Sequence, residues 1–97
     1  MTKFKELVMD TSGSGHELGR FWASATGCSY VEPSTSDATG DVIGRVEGEV
    51  EGMGIAICRV PEEKTVKHRV HLDVLADLPN SKVLADPEGN EFCVFPS

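Results

Sequence analysis

A chain of 97 residues suffices for one small domain, and at that size about two thirds of the unfolded surface is buried on folding, so one modest core is expected. Hydrophobic residues make up 39% and charged residues 26%, a globular balance that excludes a disordered or fibrous chain. The formal net charge of −7, with Lys and Arg scattered rather than striped, repels phosphate backbones and excludes nucleic acid as an expected partner.

No stretch is long and apolar enough for a membrane-spanning helix. The start, Met1 to Glu6, is not followed by the apolar run of a signal peptide. Cys28, Cys58 and Cys93 are odd in number, widely spaced and free of any CxxC. Free thiols in a reducing cytoplasm are therefore expected rather than a disulfide framework. Lys64, Lys67, His68 and Arg69 form the densest basic cluster and read as a solvated loop.

In chain order, Glu6 to Met9 reads as a strand, followed by the turn cluster Asp10-Thr11-Ser12-Gly13-Ser14-Gly15. Ser14 and Glu17 have capping-box spacing. A helix from His16 to Thr26 follows, with Leu18, Phe21, Trp22 and Ala25 as its apolar stripe and Gly27 as its terminator. Cys28 to Glu32 reads as a strand and Pro33 to Gly40 as a loop. Asp41 to Val50 alternates, placing Val42, Val46 and Val50 on one face of an extended segment. Gly52 and Gly54 mark a turn, and Ile55 to Val60 reads as a strand.

Arg69 to Leu75 reads as a further strand with Val70, Leu72 and Val74 on one face, and Asp77 to Ser81 as a turn. Lys82 to Ala85 and Glu91 to Phe95 form the final pair, joined by Asp86-Pro87-Glu88-Gly89-Asn90, where Pro87 suits a type I turn and Gly89 a positive φ. The order says α+β, with the helix packed on one sheet face. Period-two alternation gives Leu7, Met9, Ile55, Ile57, Val70, Leu72, Val74, Phe92 and Val94 to that face. The opposite face then carries Glu6, Val8, Ala56, Cys58, Val60, His71, Asp73, Glu91, Cys93 and Phe95. Such a mixture suits a binding cleft or a solvated face equally well.

Two strings, Arg59 to Asp73 and Val83 to Val94, together with the helix around Leu18-Gly19-Arg20-Phe21-Trp22-Ala23, resemble the glyoxalase/bleomycin-resistance/dioxygenase (vicinal oxygen chelate) superfamily. The resemblance implies βαβββ modules in a single domain over 1–97, a first module at about 4–60 and a partial second at about 68–96. Only Ala76 to Ser81 stands where the second module needs a helix and another strand. A deletion, a segment missing from this sequence, or a natural minimal form completed by a homodimer would each account for that.

The resemblance also implies a sheet-lined cleft. Its metal-ligand positions carry over to Glu6, Cys58, His71 and Cys93, a set that suits Zn, Ni, Fe or Mn where family members use a divalent metal. Against it stands the reading of both cysteines as small buried hydrophobes, with His71 held by Asp73 or Glu91. The first functional expectation is a domain that binds a small molecule without a metal cofactor, through Val8, His71, Asp73, Glu91 and Phe95. The alternatives are a metal-dependent lyase, isomerase or dioxygenase, with Glu6 or Glu91 as general base, and a dimerisation module.

Overall fold

The computed structural model describes residues 1–32, 42–49 and 54–97. The expected loop from Pro33 to Gly40, the ends Asp41 and Val50 of the alternating segment, and Gly52 and Met53 lie outside them. The chain divides into two compact units, Met1–Glu63 and Lys64–Ser97. The fold is α+β: among the described residues there are one helix and two small mixed sheets.

The first unit runs β1 (Leu7–Thr11), α1 (His16–Thr26), β2 (Ser29–Val31), β3 (Val42–Glu47) and β4 (Ile55–Arg59), with sheet order β1-β4-β3-β2. β1 and β4 are parallel, in register from Leu7 opposite Ile55 to Thr11 opposite Arg59. The remaining pairs are antiparallel.

The expected capping box does not form. Gly15, not Ser14, occupies the N-cap, at φ 78°, and no side chain caps the helix. Position 15 admits only glycine: a side chain there would collide with Ile43 and Thr11, and the left-handed conformation suits glycine. The turn is held instead by the Gly13 amide donating to Thr11 Oγ1 (3.1 Å) and by the Arg59 guanidinium donating to the Gly13 and Ser14 carbonyls (both 3.4 Å). At the other end Gly27, at φ 71°, closes the helix as expected. The Cys28 amide reaches the Ala23 carbonyl (2.8 Å) and the Gly27 amide the Ser24 carbonyl (3.3 Å), the paired bonds of a Schellman motif.

The buried face of α1 is Leu18, Gly19, Trp22 and Ala23, while Phe21 and Ala25 of the expected stripe are only half-buried. Leu18 and Trp22 join Val46, Ile55, Ala56 and Ile57 among the buried core side chains of this unit. A β-bulge between Val42 and Gly44 breaks the expected valine face: Val42 lies opposite Cys58, whereas Val46 lies opposite Ile55.

Tyr30 of β2 fills the space left by two glycines, Gly19 on the helix and Gly44 on β3; a Cβ on either would run into its ring. Its hydroxyl lies 2.7 Å from His16 Nδ1 and 3.4 Å from the Ile43 carbonyl. Burial, and then the Glu32 carboxylate, push the Tyr30 phenol above its ordinary 10.0, partly offset by Arg20, whose guanidinium lies 6.0 Å from the ring centre.

The second unit contains β5 (Asp73–Ala76), β6 (Lys82–Ala85) and β7 (Glu91–Pro96), in order β5-β7-β6. β5 is parallel to β7 and β6 antiparallel to it, so the unit repeats the β1-β4-β3 pairing of the first. Between β5 and β6 stand only Asp77 to Ser81, where the first unit has α1 and β2 between β1 and β3. The strand expected from Arg69 begins only at Asp73. Its partner explains the difference: Asp73 lies opposite Cys93, and β7 starts two residues earlier, at Glu91, after a tight turn. Upstream of His71 no neighbouring strand remains among the described residues to satisfy the backbone, and Val70, expected on an apolar face, is exposed.

That turn is built on buried Asp86. One carboxylate oxygen accepts from the Glu88 and Asn90 amides (both 2.9 Å) and the other from Asn90 Nδ2 (2.8 Å), while Gly89 takes a φ of 83°. Phe92 and Val94 are buried, and Glu91, Cys93 and Phe95 point to the other face. The strands expected to share one helix-covered face thus belong to two separate sheets, and α1 packs on β2 and β3 of the first.

Two outcomes follow. Gly44→Ala forces the Tyr30 ring out of its slot and lowers unfolding stability by about 1–3 kcal/mol, as overpacking does, measured by urea denaturation. Because the Tyr30 phenol titrates higher folded than unfolded, its contribution is complete below pH 10 and declines as pH rises through the folded value. Tyr30→Phe therefore flattens the loss of stability above pH 10, read from urea midpoints of both proteins.

Candidate functional site

The two parallel pairs set side chains in equivalent places. In the first unit Asp10 lies opposite Cys58; in the second Asp73 lies opposite Cys93. Registered residues on parallel strands point to the same face, so each unit presents an Asp–Cys pair. Two positions upstream of each aspartate stand Val8 and His71. His71 is therefore matched by a valine in the first unit.

In the second unit three polar side chains converge. His71 Nδ1 lies 3.1 Å from Asp73 Oδ1, and one ligand-grade atom from each of His71, Asp73 and Cys93 falls within 4.8 Å of the other two. The backbone beneath is pinned by the Cys93 amide donating to the Leu72 carbonyl (3.1 Å), so the side chains stand on a hydrogen-bonded sheet rather than a free loop. His71 and Asp73 are exposed and Cys93 is half-buried, which leaves the group open to solutes.

The same face continues into apolar surface. Leu75 lies opposite Phe95 and Val83 opposite Cys93. Leu75 is 72% exposed, Val83 62% and Phe95 39%. Three large apolar side chains beside a polar trio is the composition of a surface that binds something with both characters.

The positions anticipated from the sequence separate into groups. His71, Asp73, Glu91 and Phe95 share the described face of β5-β7-β6, but Glu91 pairs with Lys67 (3.8 Å) rather than joining the trio. Val8 lies on β1 in the other unit and is half exposed. The proposed ligand set of Glu6, Cys58, His71 and Cys93 needs correcting within the first unit. Cys58 is opposite Asp10, four positions beyond Glu6, or about 13 Å along the strand. Two ligands of one ion must come within about 4 Å of each other, so Glu6 and Cys58 cannot share one. Glu6 is instead held by Arg45, with Nε to Oε2 at 3.4 Å, and also lies 3.9 Å from Lys5.

Leu75 and Val83 escape the sequence reading. The signal was available in the alternation itself, since Leu75 follows Asp73 at spacing two. Assigning Val83 required the β6–β7 register, which no local pattern supplies. All three cysteines are free thiols. Among the described residues no helix is long and apolar enough to cross a membrane.

A family model described as a glyoxalase-like domain matches residues 6–82. No curated protein matches the chain.

The His71–Asp73 pair is solvent-exposed, and such pairs contribute little to folding. His71→Ala and Asp73→Asn should each shift urea-unfolding stability by less than about 1 kcal/mol. A larger loss would make the pair part of the scaffold instead of the site.

Proposed function

Because the chain belongs to the glyoxalase-like domain family, we propose that it binds a small amphipathic molecule on the exposed face of β5-β7-β6. The observation that carries this reading is the adjacency of Leu75, Val83 and Phe95 to His71, Asp73 and Cys93 on one sheet face. The apolar body of the ligand covers Leu75 and Phe95, which regain the contacts that solvent denies them. Its polar group meets the imidazole and carboxylate of His71 and Asp73, which fix its orientation. Val8 and Glu91, expected in the same cleft, are secondary to this reading: one stands in the other unit and the other is engaged by Lys67.

Action in the cytoplasm agrees with the free thiols, which a reducing compartment preserves. A homodimer suits the short second unit. β6 is an edge of its sheet among the described residues, at the place where β2 flanks β3 in the first unit, and a bare edge favours pairing with another strand. The metal-dependent reading draws on a different observation, the convergence of His71, Asp73 and Cys93.

The test uses 8-anilinonaphthalene-1-sulfonate, an apolar ring system with one charged group. Fully covering a Leu or Phe side chain is worth about 1.5–3 kcal/mol, so Leu75→Asp and Phe95→Asp should each weaken its binding by about tenfold or more in a fluorescence titration. Equal affinity for wild type and both variants would place any binding elsewhere and end this reading.

A further inference from the structure

We infer that β6 pairs antiparallel with β6 of a second copy of this chain, about a two-fold axis at Leu84, and that each copy thereby extends the ligand face of the other. The inference rests on the homodimer and the exposed β5-β7-β6 face proposed above. It gives that dimer its strand, its register and its share in the site.

The first unit supplies the template. There the matching edge, on β3, carries an antiparallel fourth strand, β2, with Tyr30 opposite Val46. In the second unit nothing among the described residues flanks the outer side of β6. The whole strand is exposed, Val83 at 62% and Leu84 at 46%. A bare edge of this kind offers its backbone to an added strand.

Hydrogen-bond direction narrows what can be added. The Asp86 amide donates to the Asn90 carbonyl (2.9 Å), and antiparallel pairs alternate between bonded and non-bonded residues. Leu84, opposite Phe92, and Lys82, opposite Val94, therefore also bond toward β7, while the backbone groups of Val83 and Ala85 face outward. An outward-facing residue can bond only another outward-facing residue, so the two-fold axis passes through a residue and not between two. Such an axis stands perpendicular to the sheet, and both copies keep the same face up.

Side chains choose among the axes that remain. An axis at Val83 sets Leu84 against the Lys82 ammonium. An axis at Ala85 sets Leu84 against the Asp86 carboxylate and Val83 against Pro87, which has no amide to give. An axis at Leu84 sets Leu84 against Leu84 and lets Val83 and Ala85 exchange both N–H···O bonds. It also brings the exposed Lys82 of each copy opposite Asp86 of the other. Buried Asp86 and the buried Asn90 Oδ1, unpaired among the described residues, make that corner electronegative, so the charges are complementary.

The second copy then contributes to the site. Val83 shares its face with Leu75, Cys93 and Phe95, and at this register Ala85 of the second copy lies beside it. The strands run β5-β7-β6-β6-β7-β5, and the two apolar surfaces become one.

Sedimentation equilibrium of the reduced full chain should show a monomer–dimer exchange that so short a strand keeps weak, with half-association at about 10 μM or above. Val83→Pro removes only an outward amide, so it should stay folded by its urea midpoint and weaken association by about tenfold or more. Lys82→Glu should weaken it by about tenfold, because the two-fold axis repeats the contact. Thiols test the register. Directly opposite residues of a non-bonded pair have Cα atoms about 4.5 Å apart, within disulfide reach. At this register the two copies of residue 83 are about 8 Å apart, beyond the limit of about 7 Å. Under mild oxidation, peptide mass mapping should find a link between the introduced thiols in Leu84→Cys and none in Val83→Cys. A monomer at every concentration, undiminished association in folded Val83→Pro or in Lys82→Glu, or a link in Val83→Cys but not in Leu84→Cys would overturn the pairing. Leu75→Asp and Phe95→Asp lie away from the joined edge and should keep the dimer while losing the anilinonaphthalene dye, so failure of the dimer and failure of the ligand face are distinguishable.

Discussion

The parallel pairing of the first and last strand in each unit is the constraint on which the candidate site depends. Parallel neighbours point registered side chains to the same face, so one hydrogen-bond register decides which residues from distant parts of the sequence meet. In the second unit that register joins Asp73 to Cys93 and Leu75 to Phe95. One step of slippage would turn Cys93 and Phe95 away and present Phe92 and Val94 instead. Burial of Phe92 and Val94 holds the register against that slip, and the Asp86 turn fixes where β7 begins.

The first unit meets a different demand. Its helix has to lie close on a short sheet, and glycines on both sides admit the ring of Tyr30. The hydroxyl then finds His16 and the Ile43 carbonyl, so the half-buried aromatic carries no unpaired polar group. Around it Leu18, Trp22, Val46, Ile55 and Ile57 supply the apolar core. Glu6, which chemistry alone would nominate as a ligand, is drawn into an ion pair with Arg45 on the sheet. Glu6 and Arg45 are thus engaged within this unit, whereas His71 and Asp73 of the second unit stand exposed.

The two units also read as variations on one strand pairing. Asp10 with Cys58 and Asp73 with Cys93 occupy matching positions, and the difference that matters chemically is a valine against a histidine two residues upstream. The absence of a helix and a strand between β5 and β6 leaves β6 at a sheet edge among the described residues. It does not disturb the β5–β7 pair that carries Asp73 and Cys93.

Much was legible in the chain itself. The helix from His16 to Thr26 and its glycine terminator, the turn around Gly89, the strands near 55–59, 82–85 and 91–95, and the α+β class all follow from period, breakers and positive-φ glycines, which are properties of neighbouring residues. The family followed from two long strings and is shown by a match over residues 6–82. What tertiary structure alone decided were relations between distant residues. The helix cap fell on left-handed Gly15 rather than Ser14, a bulge divided the valine face, and the start of β7 at Glu91 limited β5. Register separated Glu6 from Cys58 and brought His71, Asp73 and Cys93 together. A sequence fixes which face of a strand a side chain takes relative to its neighbours in the chain; only the hydrogen bonds between strands fix how far along one strand lies against the next, and a site made of two strands depends on that distance.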